Sequence, residues 1–298
     1  MGRLTSLFSS IFDLIYPAKC VSCGDLLDQP QDVFCRSCYD SYENAKQDVC
    51  SRCFRPRCRC TCPSFSLGKT GLRRLVKLYK YRPSEGDLPE NRILFALKQK
   101  HLSSVVSFLG RDLAEAIGES LTPKEKATAV VVPCPRSDRA KRINGYDHME
   151  ELCREVAKQT GFAYSGALKR KSGGKMQKGL SGEERRKNAK NRFFVKSADE
   201  IAGKTVLLID DVTTSGATLT ECRRAVLTAG ASRVVLCVLA VSGRDFVVRP
   251  RKTRVKQRRY KKERAQSPKT EKAPRQSERT RTNYNDRERI KTVANESH

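Results

Sequence analysis

The stretch Val206-Leu-Leu-Ile-Asp-Asp-Val-Thr-Thr-Ser-Gly-Ala-Thr-Leu219 decides the fold. Its first four residues are apolar without interruption, which is typical of a buried parallel strand. Apolar residues then recur at the three- and four-residue steps of a helix, at Leu219, Cys222, Val226 and Ala229. Gly230 follows as a C-terminal cap, and the apolar run from Val234 to Ala240 predicts the next strand. The stretch therefore predicts a strand–loop–helix–strand unit of an open α/β sheet.

Polar residues fill the junction between this strand and this helix. Two carboxylates, Asp210 and Asp211, end the strand, and the loop that follows consists of Thr213, Thr214, Ser215, Gly216, Ala217 and Thr218. Hydroxyl groups, a glycine and the unpaired N–H groups of a helix start can hold a phosphate, whereas paired carboxylates suit ribose hydroxyls or a hydrated Mg²⁺. No Lys follows the glycine, so this is not a Walker A loop. The junction predicts a site for a sugar phosphate, and the alternative is an ordinary turn capped by Thr or Ser.

Cysteines dominate the beginning of the chain. Nine of the 13 lie between Cys20 and Cys62, and they include three Cys-x-x-Cys pairs. Two Cys-x-x-Cys pairs at this spacing supply four thiolates that can bind one Zn²⁺ ion tetrahedrally. The first predicted site consists of Cys20, Cys23, Cys35 and Cys38. The second takes Cys50 and Cys53, and we assign Cys60 and Cys62 as its other ligands, although spacing alone leaves Cys58 open as well.

A disulfide framework is the alternative for this segment. It fits poorly with the odd number of cysteines, with the absence of a secretion signal, and with further cysteines at positions 134, 153, 222 and 237. The segment is also short and polar, so a metal would have to hold it. The cysteines therefore predict structural zinc and a cytoplasmic protein.

Further elements precede the deciding stretch. The sequence predicts helical structure over Asn91–Ile117, a strand over Ala129–Val132 and a helix over His148–Lys158. A basic stretch that contains Arg139 and Arg142 follows the strand. Guanidinium groups just beyond a strand end can bind diphosphate oxygens, and the alternative is a solvated basic loop.

The segment Leu208-Ile-Asp-Asp-Val-Thr-Thr-Ser-Gly-Ala-Thr218 resembles the phosphoribosyl diphosphate (PRPP) loop of type I phosphoribosyltransferases. In that family the acidic pair holds the ribose hydroxyls and the loop holds the 5′-phosphate. The run Val132-Pro-Cys-Pro135, the basic stretch and Gln177-Lys-Gly-Leu-Ser181 are similar to the ComF (competence protein F) branch, in which a zinc ribbon precedes the transferase domain. Where ComF proteins read Arg-Gly-Phe-Asn-Gln, this chain reads Asn-Gly-Tyr-Asp-His over residues 144–148.

The resemblance implies an N-terminal helix and zinc ribbon over residues 1–66 and a doubly wound, mainly parallel α/β domain over residues 67–247. Residues 248–298 do not belong to it, and because apolar residues are scarce there they are predicted to form a disordered tail. The tail carries 18 Lys plus Arg against six Asp plus Glu, a net charge of +12 within a chain total of +27. Such a charge favours nucleic acid as a partner, although a purely solubilising tail is the alternative. No apolar run approaches the length of a membrane span, so no transmembrane helix is predicted.

Two functions are compatible with these features. In the first, the chain is a phosphoribosyltransferase, a glycosyltransferase that binds PRPP with Mg²⁺. Asp210 and Asp211 are then the candidate catalytic residues, and Arg139 and Arg142 hold the leaving diphosphate. In the second, the fold is a non-catalytic nucleotide sensor that binds single-stranded DNA and acts with a helicase-like partner in DNA uptake. The sequence does not identify an acceptor for the transfer.

Overall fold

A parallel sheet forms the centre of the computed structural model, which describes residues 17–137, 142, 145–171 and 192–243. Among these residues, five strands pair in the order β1-β7-β6-β2-β3, and every neighbouring pair is parallel. The strands are β1 (Leu75–Tyr81), β2 (Ala129–Pro133), β3 (Ala163–Tyr164), β6 (Thr205–Thr213) and β7 (Arg233–Ser242). Two short strands, β4 (Leu168–Arg170) and β5 (Phe193–Val195), form a separate antiparallel pair.

Helices cover both faces of this sheet. The described helices are α1 (Arg36–Gln47), α2 (Phe65–Gly68), α3 (Pro89–Gln99), α4 (Ser103–Ser120), α5 (Pro123–Ala127), α6 (His148–Thr160) and α7 (Ala217–Thr228). Short 3₁₀ turns occur at Arg57–Arg59 and Ala198–Glu200. Alternate residues of the central strands enter two buried clusters, one with α4 and α6 and the other with α7. The predicted fold class, a doubly wound and mainly parallel α/β sheet, is confirmed.

The helical region after β1 differs from its prediction. The sequence predicts helical structure throughout Asn91–Ile117, but the chain leaves the helix after α3 and starts α4 at Ser103. His101 lies in this break with a φ of 42°, a left-handed conformation that an α-helix does not accept. The break matters because it ends α3 beside the carboxyl edge of the sheet.

The cysteine-rich segment packs against the sheet domain and shares its core. Val33, Phe34 and Tyr42 are buried in the same cluster as α4 and β1. The ring of Phe34 meets that of Phe108 edge to face, with 5.7 Å between centroids. The phenol of Tyr42 donates to Asp112 at 2.9 Å. The segment therefore buries its apolar residues against α4 rather than in a core of its own.

Some predictions concern residues outside the described part of the chain. These are the predicted N-terminal helix, since residues 1–16 are not described, the segment Gln177–Ser181, the residue Arg139 and the basic tail. Among the helices that the structure does describe, none has the length and apolar character needed to cross a bilayer.

Candidate functional site

The sheet opens a crevice where β2 stops pairing with β6. The last β2 residue in register is Pro133, opposite Ile209, whereas β6 continues to Thr213 along β7. The strand is thus longer than the apolar run Val206–Ile209 suggests. The acidic pair lies within the last four residues of β6. The chain leaves β2 towards β3 on one side and returns to β6 on the other. Open α/β sheets bind ligands at such a reversal of strand order.

Asp211 lies at the centre of a polar network in this crevice. The ammonium of Lys98, at the end of α3, is 3.1 Å from Oδ2 of Asp211. Nε2 of His148, the first residue of α6, is 3.2 Å from the same oxygen. Arg136 donates to Nδ1 of His148 at 2.7 Å. Since a guanidinium can only donate, Nδ1 must accept, and Nε2 carries the proton that His148 donates to Asp211.

The two neighbouring carboxyl groups have different proton affinities. Burial, followed by the adjacent charge of Asp211, raises the pKa of Asp210 to about 8. Burial also acts to raise the pKa of Asp211, but the hydrogen bond from His148 and the charge of Lys98 hold that pKa well below its ordinary value. At neutral pH the pair therefore presents one carboxylate and one mostly protonated acid to the crevice.

The predicted loop is shorter in the structure than in the sequence analysis. Thr213 is buried and still belongs to β6, and α7 already begins at Ala217. The turn itself consists of Thr214, Ser215 and Gly216. Thr214 and Thr218 are exposed, while Ser215 is half-buried and accepts from the N–H of Ala217 at 3.4 Å. Exposed hydroxyls and the first N–H groups of a helix therefore lie together beside the acidic pair, as an anion site requires.

Gly216 has a structural role that the sequence analysis missed. Its φ is +73°, and a Cβ atom built on it would lie 2.2 Å from Cδ2 of Leu67. Leu67 is fully buried in α2, five residues after the last cysteine of the cysteine-rich segment. The glycine thus lets this segment pack directly on the loop, in addition to any approach of a ligand.

Gly216→Ala is expected to lower the free energy of unfolding by about 2–4 kcal/mol, because strain at positive φ adds to overpacking against Leu67. Gly203→Ala is the matched control, since Gly203 has a φ of +71° and nothing within 4 Å of an added Cβ. Chemical denaturation of both variants measures the difference. Equal losses in the two variants would show that the contact with Leu67 contributes nothing.

The arginines predicted to hold diphosphate are only partly described. Arg142 is exposed. Arg139 lies outside the described residues. From the basic stretch the structure instead brings Arg136 to the crevice, through its bond to His148.

The predicted metal ligands form two groups. Cys20, Cys23, Cys35 and Cys38 make the first, and Cys50, Cys53, Cys60 and Cys62 make the second. Within each group the sulfur atoms lie within 4.8 Å of one another. Tetrahedral zinc with bonds of about 2.3 Å places its sulfur ligands about 3.8 Å apart, so both groups fit this ion. Cys58, which the spacing left open, does not belong to the second group.

A buried lysine supports the second cysteine group from the sheet. Lys77 lies on β1 with 2 % of its surface exposed. Its ammonium donates to the carbonyls of Cys60 and Cys62 at 2.7 and 2.8 Å. It also lies 3.3 Å from Sγ of Cys60. A positive charge at this position would offset the negative charge of four thiolates around one metal ion.

Two residues of the site, Lys98 and His148, were missed as ligand-site residues, whereas Arg136 belongs to the basic stretch that the sequence indicated but received no role of its own. The substitution of His for the usual Gln of the ComF pattern was a signal for His148, because the ring can join two charged groups. Lys98 gave no signal, since a polar residue on an amphipathic helix is most simply explained by exposure to solvent.

Comparisons with known proteins agree with this arrangement. The phosphoribosyl transferase domain family matches residues 144–274, a range that includes the acidic pair and the loop. Competence protein ComFC of Streptococcus pneumoniae is 26 % identical over 72 % of this chain and 96 % of its own length. DNA utilization protein YhgH of Escherichia coli O157:H7 is 27 % identical over 54 % of this chain and 69 % of its own. Competence protein F of Haemophilus influenzae is 28 % identical over 40 % of this chain and 53 % of its own.

Proposed function

Because this chain belongs to the ComF (competence protein F) family, we propose that it binds PRPP with Mg²⁺ at the carboxyl edge of its sheet and acts in the uptake or use of DNA. One observation carries the proposal: the acidic pair and the start of α7 meet in the crevice beyond the end of β2. A sugar phosphate has hydroxyl groups that can bind the acidic pair and a phosphate that can bind the start of α7.

Each part of the crevice has a role in this proposal. Asp211, oriented by Lys98 and His148, accepts from ribose hydroxyls, and Asp210 completes the pair. The first N–H groups of α7, with the hydroxyls of Thr214 and Thr218, hold the 5′-phosphate. Arg139 and Arg142 are proposed to contact the diphosphate. Mg²⁺, bound together with PRPP, would neutralise part of the diphosphate charge.

Transfer of the phosphoribosyl group is the reaction proposed for this site. Diphosphate leaves from C1 as an acceptor nitrogen bonds there, and the side chains act by positioning and by charge stabilisation. The direct test is titration calorimetry with PRPP and Mg²⁺, followed by measurement of diphosphate release with a panel of bases and amines. Absence of PRPP binding to the wild-type protein would refute the proposal.

A non-catalytic scaffold is the second candidate function, and the net charge of +27 favours it. In this alternative the chain binds PRPP or a nucleotide without transfer and holds single-stranded DNA beside a helicase-like partner. Two relatives are named competence proteins and a third a DNA utilization protein. PRPP binding that never leads to diphosphate release, whatever acceptor is added, would favour the scaffold over the enzyme.

We also propose that the two cysteine groups each hold a structural Zn²⁺. The four sulfur atoms of each group converge to within 4.8 Å of one another, as the ligands of one tetrahedral ion require. Cys58 lies outside both groups of converging sulfur atoms, so it is not proposed as a ligand.

Deletion of residues 248–298 is expected to weaken binding of single-stranded DNA and to reduce the slope of log affinity against log salt. The deletion removes 18 basic residues. A protein that makes fewer phosphate contacts releases fewer counterions when it binds, so its affinity depends less on salt. Fluorescence anisotropy with labelled oligothymidine over a series of NaCl concentrations measures both quantities. An unchanged slope would mean that the tail makes no phosphate contacts.

A further inference from the structure

The two Cys-x-x-Cys turns, Cys20–Asp25 and Cys50–Arg55, have the same backbone structure. In each, the N–H of the first residue donates to the carbonyl of the sixth, at 2.8 and 3.0 Å. The N–H of the fifth residue donates back to the first, at 3.0 and 2.9 Å. An antiparallel bridge flanks each turn as well. The two turns can therefore be compared position by position.

The fifth residue of each turn has a left-handed conformation, but its identity differs. In the first turn it is Gly24, with a φ of 86°, and in the second it is Phe54, with a φ of 57°. Glycine takes this conformation without steric cost, whereas a bulky aromatic residue there is a genuine outlier. The fold of the turn does not require a phenylalanine, because the first turn forms with none.

Packing does not explain Phe54 either. The residue is 79 % exposed, the largest exposed fraction among the large apolar residues that the structure describes as exposed. A strained residue that contributes little burial is a candidate for function rather than for stability.

The surroundings of Phe54 are basic. Residues 49–62 contain four arginines and no Asp or Glu. Arg57 pairs with Asp48 at 3.0 Å, and Arg59 pairs with Glu119 at 3.3 Å. Arg52 and Arg55, on either side of Cys53 and Phe54 in the sequence, are both exposed, and Arg52 also has an interaction partner within the protein. An exposed aromatic residue with exposed arginines close to it in the sequence matches the chemistry of an unpaired nucleotide, which offers a base to stack and a phosphate to pair.

We propose that Phe54 is a base-stacking residue for single-stranded nucleic acid, with Arg52 and Arg55 contacting the flanking phosphates. The inference rests on the proposed binding of single-stranded DNA and assigns a defined part of that binding to the second cysteine turn. Base-paired nucleic acid fits less well, because its bases are already stacked on one another and present no free face to the ring.

The test compares full-length wild-type protein with Phe54→Gly, which restores the residue of the first turn. This variant should be as stable as the wild type or more stable in thermal denaturation, because the strain at positive φ disappears. It should nevertheless bind labelled oligothymidine about tenfold more weakly in fluorescence anisotropy. Phe95→Ala is the matched control, since Phe95 is a 47 % exposed aromatic residue on α3, and its affinity should equal that of the wild type.

An abasic oligomer with the same number of phosphates separates stacking from charge. Wild type and Phe54→Gly should bind it equally, because no base is present to stack. The proposal is overturned if the two proteins bind oligothymidine equally, if Phe54→Gly loses the same affinity for both oligomers, or if Phe54→Gly melts well below the wild type. Failure of the wild type to bind any single strand would instead refute the proposed DNA binding itself, and the inference with it.

Discussion

Replacing Asp211 with Asn is expected to weaken PRPP binding at least tenfold at neutral pH. The substitution keeps the size of the side chain but removes the charge that is proposed to order ribose hydroxyls. Each hydrogen bond to a charged group that is lost costs about 1.5–3 kcal/mol, and about 1.4 kcal/mol corresponds to a tenfold change in affinity. The loss also leaves Lys98 and His148 without the carboxylate that they contact at 3.1 and 3.2 Å.

Asp210→Asn should behave differently from Asp211→Asn at the same pH. The pKa of Asp210 is raised to about 8, so the wild-type group is largely protonated and uncharged at neutral pH. An amide imitates that state, and the loss of affinity should be small. Above the raised pKa the wild-type group ionises and gains strength as an acceptor. The difference between wild type and Asp210→Asn should therefore grow as the pH rises through about 8.

Calorimetry with PRPP and Mg²⁺ on either side of this pH measures both variants and the double variant, in which binding should be weakest. Asp199→Asn removes the same charge from an exposed position in the turn Ala198–Glu200 and serves as the control. Wild-type affinity in the double variant would place the ligand elsewhere on the protein. Equal losses in the two single variants at neutral pH would contradict the different protonation of the two groups.

The sheet could be predicted from the sequence because its central strands are buried on both faces. The apolar runs that contain Val206–Ile209, Ala129–Val132 and Val234–Ala240 all lie within strands of the structure. Buried parallel strands leave this signature whatever surrounds them. The acidic pair and the loop after it could be located for the same reason, since they follow the apolar run directly in the sequence.

Contacts between distant parts of the chain could not be predicted in this way. Lys98 reaches Asp211 from the last turn of α3, which stops at Gln99 before the left-handed His101, and no local pattern predicted that end. The contact between Leu67 and Gly216 likewise depends on how the cysteine-rich segment packs on the sheet. The glycine could be recognised as necessary from sequence, but the neighbour that requires it could not.

The second cysteine group could be predicted from the sequence only in part. Local spacing indicated Cys50 and Cys53 as ligands but left three candidates for the remaining two positions. The structure groups Cys60 and Cys62 with them, and Lys77 holds the carbonyls of both from β1. This tertiary contact selects between alternatives that spacing alone left open.

Cys60→Ser is expected to cost the protein one of two bound zinc ions and to lower its melting temperature by about 10 °C or more. Structural zinc contributes about 10–16 kcal/mol of binding energy in small domains, a large amount beside the net stability of a typical domain. Even about 5 kcal/mol lost from a domain of this size corresponds to a shift of about 10–20 °C. The effect should extend beyond the cysteines, because Lys77 and Leu67 connect this group to β1 and to the loop at Gly216.

Cys58→Ser is the matched control, since it makes the same chemical change two residues away, at a half-buried cysteine outside the group. It should retain two zinc ions per chain and a melting temperature close to that of the wild type. Elemental analysis and thermal denaturation of the three purified proteins provide the measurements. Disulfides in place of metal, or two zinc ions in Cys60→Ser, would rule out the assignment. Because loss of this metal should disturb the loop that Leu67 contacts, Cys60→Ser is also expected to bind PRPP more weakly than Cys58→Ser does.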